Sequence, residues 1–192
     1  MTVPIEVPVP GLVALVGAAG AGKSTLAGRL FEPSDILSSD ALRAAVSGDP
    51  ADQRATRLAF DILHREVRRR LAAGRLVVVD ATNVEPAARR ALVRLASAAG
   101  APAVAIVIAV PPEDVHRQNT RRPDRVVPAE IVDRHLVRLA RLGADPALIS
   151  AALRAEGFAA AHVLATTDAL HAIQIRRIVA RAEPEPGALS AP

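Results

Sequence analysis

The glycine-rich segment at residues 17–24 constrains the fold of this chain more than any other feature. It reads GAAGAGKS and matches the pattern G-x-x-x-x-G-K-[ST] in full. The apolar run Leu12–Val16 before it predicts a buried strand, and the residues from Ser24 onward predict a helix. A strand, a glycine loop and a helix in this order direct backbone N–H groups and the helix N-terminus at phosphate oxygens. The segment therefore predicts a nucleotide-binding phosphate loop.

Individual residues of this loop have predicted roles. Glycines let the backbone approach a phosphate without a Cβ in the way. Lys23 is the only lysine among the 24 Lys and Arg residues, and it stands where a compact ammonium is needed to neutralise the β and γ phosphates. The hydroxyl of Ser24 is predicted to ligate Mg²⁺. The predicted ATP-binding residues are Gly17, Ala18, Ala19, Gly20, Ala21, Gly22, Lys23, Ser24 and Thr25.

Strand-like and helix-like segments alternate along the rest of the chain. The predicted strands cover residues 12–16, 35–39, 76–80, 104–110 and 160–165. The longest predicted helix covers residues 52–73, where apolar side chains recur at helical spacing. This alternation predicts an α/β fold, with a parallel sheet of about five strands flanked by helices. We expect a short terminal helix over 167–181, one domain over 1–182, and a linker or disordered tail over 183–192.

Composition excludes several other classes of protein. The chain has no cysteine, which excludes disulfides and thiol chemistry and agrees with a reducing cytoplasm. The segment Met1–Pro10 lacks the basic start of a secretory signal and contains three prolines. Its apolar runs reach only about ten residues, which is too short to cross a bilayer. We therefore expect a soluble, cytoplasmic protein that does not enter a membrane.

Two aspartates follow predicted strands directly, where α/β folds bind their ligands. Asp40 comes after the strand at 35–39, and Asp80 ends the strand at 76–80. Phosphoryl transfer to an alcohol needs a carboxylate that accepts the hydroxyl proton, and Asp40 is predicted to supply it. The alternative for Asp40 is a helix N-cap, a role that can coexist with the first. Asp80 is predicted to lie near Mg²⁺, and the alternative is an ordinary loop aspartate.

Arginines crowd a predicted helix–loop–helix around Pro123. They predict a lid that holds ATP phosphates and stabilises charge in the transition state. The predicted lid arginines are Arg117, Arg121, Arg122 and Arg125. Arg134, Arg138 and Arg141 share one face of the next predicted helix, which favours a nucleic-acid surface. In a chain with this many arginines, solvated surface is the alternative for both groups.

Histidines and aromatic residues indicate no separate site. His64 and His135 lie on predicted helices and are interpreted as structural. The five histidines show no spacing typical of metal ligands. Because the chain has no Trp or Tyr and only three Phe, base stacking on aromatic side chains is expected to contribute little to recognition.

Taken in order, these motifs resemble the kinase module of bacterial polynucleotide kinase-phosphatase. The resemblance extends from about Val9 to about Thr167. Its landmarks are the phosphate loop, SSDALR at 38–43, AFDILH at 59–64, VDATNV at 79–84, NTRRPDR at 119–125 and EGF at 156–158. The phosphate loop is common to all P-loop proteins, whereas the ordered set is much more specific.

The resemblance implies a P-loop kinase fold with a helical lid, and transfer of the γ-phosphate of ATP to the 5′-hydroxyl of a DNA or RNA strand. It implies that Asp40 is the general base and that Arg43 binds near the acceptor end. Lys23 and Ser24 match the family's ligands of phosphate and Mg²⁺. The bacterial relatives carry phosphatase and ligase modules after the kinase, for which this chain has no room. The chain is therefore either a free-standing kinase or a fragment whose tail at 183–192 leads onward, and a 3′-phosphatase activity is not carried over.

The resemblance also bears on the lid. Arg122 and Arg125 align best with the family's arginines that contact ATP phosphates, and Arg117 falls close to the same region. The sequence leaves open which of the three is the essential one.

Two other functions remain compatible with the same motifs. One is a small-molecule P-loop kinase that acts on a sugar acid, a nucleoside or an antibiotic hydroxyl. The other is a nucleotide-binding regulatory module without catalysis, against which Asp40 and the charged lid argue. An electropositive track leading away from Asp40 is expected only for a polymeric acceptor.

Overall fold

A computed structural model describes residues 4–48, 55–122 and 126–179. Its strands are β1 (Ile5–Val9), β2 (Gly11–Val16), β3 (Ile36–Ser38), β4 (Leu76–Asp80), β5 (Ala103–Ile108), β6 (Ala160–Leu164) and β7 (Ile175–Val179). Five of them form one sheet in the order β3-β4-β2-β5-β6, and every neighbouring pair is parallel. The predicted α/β fold with a parallel sheet of five strands is confirmed.

Helices cover both faces of this sheet. They are α1 (Lys23–Leu30), α2 (Ser39–Ser47), α3 (Thr56–Ala72), α4 (Pro86–Ala98), α5 (Pro112–Thr120), α6 (Ala129–Ala140), α7 (Pro146–Ala155) and α8 (Thr167–Ala172). The sheet has a hydrophobic core on each face, and successive side chains of β2 point into one core and then the other. Leu12 packs with residues of α3, α4 and α7, whereas Val13 packs with residues of α1, α5 and α8. A strand buried on both faces needs apolar residues at every position, which is why β2, β4 and β5 read as continuous apolar runs.

The C-terminal segment differs from the prediction of one helix over 167–181. Helix α8 is six residues long and ends at Ala172. The chain then forms β7, which pairs in parallel with β1, a strand that the sequence did not predict. The register places Ile5 opposite Ile175. Pairing between strands this far apart in the chain leaves no local signal, and Pro8 within β1 obscures it further.

The predicted tail at 183–192 lies outside the described residues. Within the parts of the chain that the structure describes, no helix is long and apolar enough to span a membrane.

The order of the strands determines where a ligand can bind. Strand β2 lies at the centre of the sheet between β4 and β5, so the loop after it emerges at the middle of the carboxyl edge. Helix α2 follows β3 at the same edge, and Asp80 ends β4 opposite Ser38 of β3. The predicted phosphate loop, Asp40 and Asp80 are therefore brought to one edge of the sheet.

Candidate functional site

The phosphate loop follows β2 and ends in the first turn of α1. Gly20 and Gly22 have φ angles of 83° and 93°, in the left-handed region that favours glycine. Gly20 also packs so closely that an added Cβ would come within 2.7 Å of the Cβ of Asn119 on α5. Glycine is therefore required at this position by both its backbone angle and its neighbour.

Backbone and amide contacts join the loop to the segment after β4. The N–H of Gly17 donates to the carbonyl of Thr82 at 2.9 Å. The buried amide of Asn83 donates to the carbonyl of Leu15 at 2.7 Å. Asn83 has a φ of 48°, which asparagine tolerates better than most residues. These contacts set the position of the loop relative to the end of β4.

A buried arginine supports this segment from the other side. Arg89 on α4 is 1% exposed. Its guanidinium donates to the carbonyl oxygens of Asn83 at 3.0 Å and Val84 at 2.8 Å. The same group forms a two-point contact with the carboxylate of Glu156, at 2.7 and 2.6 Å. A planar guanidinium that donates four hydrogen bonds holds its partners in one geometry.

Lys23 lies buried beneath the loop. Its ammonium donates to the carbonyl oxygens of Gly17 at 3.1 Å and Ala18 at 2.7 Å. Burial lowers the pKa of Lys23 to about 8, with the charge of Arg122 acting in the same direction and that of Asp80 opposing it. An ammonium this poorly solvated gains most when an anionic phosphate replaces the carbonyl oxygens around it.

Ser24 and Asp80 supply the oxygen atoms that the sequence predicts as Mg²⁺ ligands. Both line one cavity beside the loop, and Asp80 is 7% exposed. No group of three or more His, Cys, Asp and Glu side chains that could hold a metal occurs among the described residues. Magnesium usually binds through one or two protein oxygens together with phosphate oxygens and water. A hydroxyl and a buried carboxylate next to a phosphate loop fit such an ion.

The cavity beside the loop has a volume of about 920 Å³. That is near the upper end of the range for small-ligand sites. Its cationic side chains are Arg29, Arg43, Arg121, Arg122, Arg134, Arg138 and Lys23. Its carboxylates are Asp40 and Asp80. Among the described residues on its walls cations outnumber carboxylates, so this part of the cavity attracts polyanions such as nucleotide phosphates.

Helix α2 brings Asp40 to the wall of the same cavity. The N-cap of α2 is Ser38, whose hydroxyl accepts the Ala41 N–H at 3.3 Å. Asp40 lies in the first helical turn instead, and its carboxylate forms an ion pair with Arg43. The alternative role of Asp40 as the N-cap is therefore wrong. Asp40 and Arg43 both line the cavity.

The predicted lid arginines have different positions. Arg121 and Arg122, at the end of α5, line the cavity. Arg117 does not line it, because its guanidinium forms an ion pair with Asp114 one turn earlier on α5 and is 53% exposed. Arg125 lies outside the described residues.

The predicted basic face of the next helix is divided in the same way. Arg134 and Arg138 of α6 line the cavity, and Arg138 also binds the carboxylate of Glu85 at 2.7 Å. Arg141 does not line the cavity. Two of these three arginines therefore belong to the same cavity as the phosphate loop.

His135 was interpreted as structural from the sequence, yet it lies on the cavity wall. Its Nδ1 accepts the N–H of Ala19 in the phosphate loop at 3.4 Å. Burial lowers the pKa of His135, and the charge of Lys23 acts in the same direction. The sequence contains no motif around His135 that could have indicated this contact.

Phe60 is a second wall residue that sequence reasoning missed. It lines the cavity together with Thr56, one turn earlier on α3. The ring centroids of Phe60 and His64 lie 6.2 Å apart, at an interplanar angle of 59°. The other two phenylalanines, Phe31 and Phe158, are buried in the cores. The helical spacing of Phe60 with core residues indicated burial, and only the packing of α3 beside α2 shows that its ring reaches the cavity.

The fold and this site together define a class. A phosphate loop at the centre of a five-stranded parallel sheet, with Lys23 beneath it and helices on both faces, is the architecture of a P-loop kinase. Residues 12–142 match a family model described as an AAA domain (AAA_33). The chain belongs to this family. None of the curated proteins matches the sequence.

Solved structures have the same fold. A gluconokinase from Sinorhizobium meliloti 1021 is 20% identical, with a TM-score of 0.54 over 86% of this chain and 88% of its own. Chaetomium thermophilum Kti12 in complex with ADP-AlF3 is 18% identical, with a TM-score of 0.58 over 84% of this chain and 94% of its own. A chain of the Pnkp1/Rnl/Hen1 RNA repair complex is 21% identical, with a TM-score of 0.56 over 70% of this chain and 45% of its own. At these identities the similarity shows the fold.

Proposed function

We propose that this protein transfers the γ-phosphate of ATP to the 5′-hydroxyl of a DNA or RNA strand. One observation carries the proposal, which is that Asp40, paired with Arg43, shares a single arginine-lined cavity with the phosphate loop. A donor site and a candidate base in one cavity are the minimum that phosphoryl transfer to a hydroxyl needs.

The donor half of the cavity would hold ATP. The loop N–H groups and Lys23 would bind the β and γ phosphates, with the ammonium exchanging the carbonyl oxygens of Gly17 and Ala18 for phosphate oxygens. Ser24 and Asp80 would hold Mg²⁺, which when bound neutralises phosphate charge. Arg122 lies close enough to Lys23 to affect its pKa and would add a cation at the same phosphates.

The acceptor half would hold the hydroxyl. The carboxylate of Asp40 is 46% exposed, so an acceptor from solvent can reach it. As the acceptor oxygen forms its bond to Pγ, the bond between Pγ and the β–γ bridging oxygen breaks, ADP leaves, and the hydroxyl proton passes to Asp40. The guanidinium of Arg43, 12% exposed, holds Asp40 in place and offers a cation to an acceptor phosphate.

A nucleic-acid acceptor is favoured by the charge of the cavity walls and by an aromatic ring among them. Of the residues that the structure describes, six arginines line the cavity, distributed over α1, α2, α6 and the end of α5. ATP and Mg²⁺ need only some of these cations, and the rest suit an acceptor that brings phosphates of its own. Phe60 next to the acceptor half adds an apolar ring, on which a base can stack.

Transfer of labelled phosphate from ATP to 5′-hydroxyl oligonucleotides tests the proposal. DNA and RNA strands of several lengths should be labelled, the same strands carrying a 5′-phosphate should not, and the acceptor KM should rise with salt because binding releases counterions. Absence of transfer to every strand, alongside transfer to a small molecule, would reject the nucleic-acid acceptor. ATP binding without transfer to any acceptor would indicate a regulatory module instead.

A small-molecule kinase is the second candidate, and the comparisons favour it in one respect. The match with the gluconokinase spans 86% of this chain and 88% of the gluconokinase. The match with the chain of the RNA repair complex spans only 45% of that chain. The acceptor in that case would be the hydroxyl of a sugar acid, a nucleoside or an antibiotic. A panel of such compounds, assayed beside the oligonucleotides, separates the two candidates. An acceptor KM that does not change with salt would favour a neutral small substrate.

A further inference from the structure

His135 joins helix α6 to the phosphate loop across 116 positions of sequence. Its Nδ1 accepts the N–H of Ala19, and both residues line the cavity. Helix α6 is held on the core independently, because Val132 and Leu139 on its inner side are buried. The imidazole is therefore not needed to keep α6 in place, and its position at the loop requires another explanation.

The contact defines the protonation state of His135. An imidazole nitrogen that accepts a hydrogen bond carries no proton, so in the neutral ring the proton is on Nε2. Burial and three cations, namely Lys23 on α1 and Arg134 and Arg138 on α6, lower the pKa of His135, and Glu85 before α4 opposes them. The ring therefore stays neutral near pH 7 and keeps an N–H on Nε2.

The position of His135 relative to Lys23 indicates which ligand group this N–H meets. The lysine of a phosphate loop reaches the β and γ phosphates. The ammonium of Lys23 is the largest of the charges that lower the pKa of His135, after burial itself. The imidazole also contacts Ala19 of the same loop and lines the same cavity as Lys23, so it lies near the place where the terminal phosphates would bind. A neutral donor there adds a hydrogen bond without adding to the repulsion among the surrounding cations.

We propose that His135 is a residue of the γ-phosphate site, which holds the loop through Nδ1 and donates its Nε2–H to the terminal phosphate of bound ATP. This inference rests on the proposed use of ATP as phosphate donor. It assigns His135 the task of distinguishing ATP from ADP, since ADP lacks the phosphate to which Nε2 donates.

Direct binding of a non-hydrolysable ATP analogue and of ADP, measured by calorimetry in the absence of acceptor, tests this assignment. His135→Ala should weaken binding of the analogue by about tenfold, the usual effect of losing one hydrogen bond to a charged group, and binding of ADP by less than about twofold. His135→Gln places an amide N–H near the position of Nε2 and should recover most of the loss. His135→Asn reaches only the position of Nδ1 and should not.

The matched control is His162→Gln on β6. His162 is another half-buried histidine whose pKa burial lowers, and it does not line the phosphate cavity. This variant should bind both nucleotides as the unaltered protein does. Thermal unfolding of every variant checks the fold. If His135→Ala does not fold, the comparison of His135→Gln with His135→Asn still shows whether a donor at the position of Nε2 is needed for binding of the ATP analogue.

Several results would overturn the assignment. Equal losses for the ATP analogue and ADP would show that His135 acts on the loop as a whole. Full affinity in all three variants would show that the contact has no role in binding. If His135→Asn bound the ATP analogue as tightly as His135→Gln, the role of His135 would be limited to accepting the N–H of Ala19. Because no acceptor is present, failure of the oligonucleotide assay would leave these outcomes unaffected.

Discussion

The donor and acceptor halves of the cavity are built in different ways. In the donor half, Lys23 and Asp80 are each 7% exposed, and their surroundings are backbone groups and buried side chains. In the acceptor half, Asp40 and Phe60 project from α2 and α3, and the carboxylate of Asp40 is 46% exposed. A buried, backbone-built half would bind the nucleotide phosphates, while a half made of side chains on two helices can change its substrate without changing the fold.

This contrast has a measurable form. Substitutions in the donor half should change nucleotide binding whether or not an acceptor is present. Substitutions in the acceptor half should change transfer alone and leave nucleotide binding as it was. Three of the four substitutions that follow test this separation, and Arg89→Leu tests the buried contacts that support the donor half.

Lys23→Ala should have the largest effect, a loss of transfer of about 1,000-fold, equivalent to ~4 kcal/mol of transition-state stabilisation. The phosphates would lose the buried cation of the donor half. Affinity for ATP should fall as well, measured without acceptor. Lys23→Arg serves as the control, since the planar guanidinium does not fit the enclosed site of an ammonium and should not restore the rate. Transfer at the full rate in Lys23→Ala would contradict the assignment of the donor half.

Arg89→Leu should lower the free energy of unfolding by ~3 kcal/mol, because it leaves the carboxylate of Glu156 and the carbonyls of Asn83 and Val84 without their donor. Urea unfolding measures the change. Arg90→Leu, at an exposed position of the same helix, should stay within about 0.5 kcal/mol of the unaltered protein. Equal stability of the two variants would show that the buried guanidinium does not support the donor half.

Asp40→Asn should slow transfer by about 100-fold, or ~2.7 kcal/mol, because the amide cannot accept the hydroxyl proton. Its affinity for ATP should stay unchanged, as expected for a residue of the acceptor half. Asp133→Asn, an exposed carboxylate on α6 that pairs with His116, is the matched control and should retain the full rate. If Asp40→Asn weakens ATP binding as strongly as it slows transfer, the two halves are not separate.

Phe60→Leu should have the smallest effect, a rise of about fivefold in the KM for an oligonucleotide, or ~1 kcal/mol, since it keeps apolar packing but removes the stacking surface. The kcat and the affinity for ATP should change by less than about twofold. Phe60→Tyr keeps an aromatic ring and should behave as the unaltered protein. A KM that is equally low in all three proteins would argue against a base lying on this ring.

The sequence predicted the fold and the donor half because their determinants are local. The glycine loop, its lysine and the apolar strand before it are contiguous, and continuous apolar runs mark the buried strands of the five-stranded sheet. Asp40 and Asp80 could be placed at the cavity because the carboxyl ends of parallel strands meet at one edge. Pairing of β1 with β7 escaped prediction, since its partners are far apart in the chain.

By itself, the sequence of this protein predicted which groups would bind phosphate, and it determined the edge of the sheet on which they lie. Only the tertiary structure decided which other side chains join them. His135 and Phe60 reach the cavity because α6 and α3 pack beside the loop and α2, and Arg117 is kept out of it by its ion pair with Asp114. A phosphate loop is encoded by neighbours in the chain, whereas the cavity around it is assembled by contacts between helices that no short stretch of sequence contains.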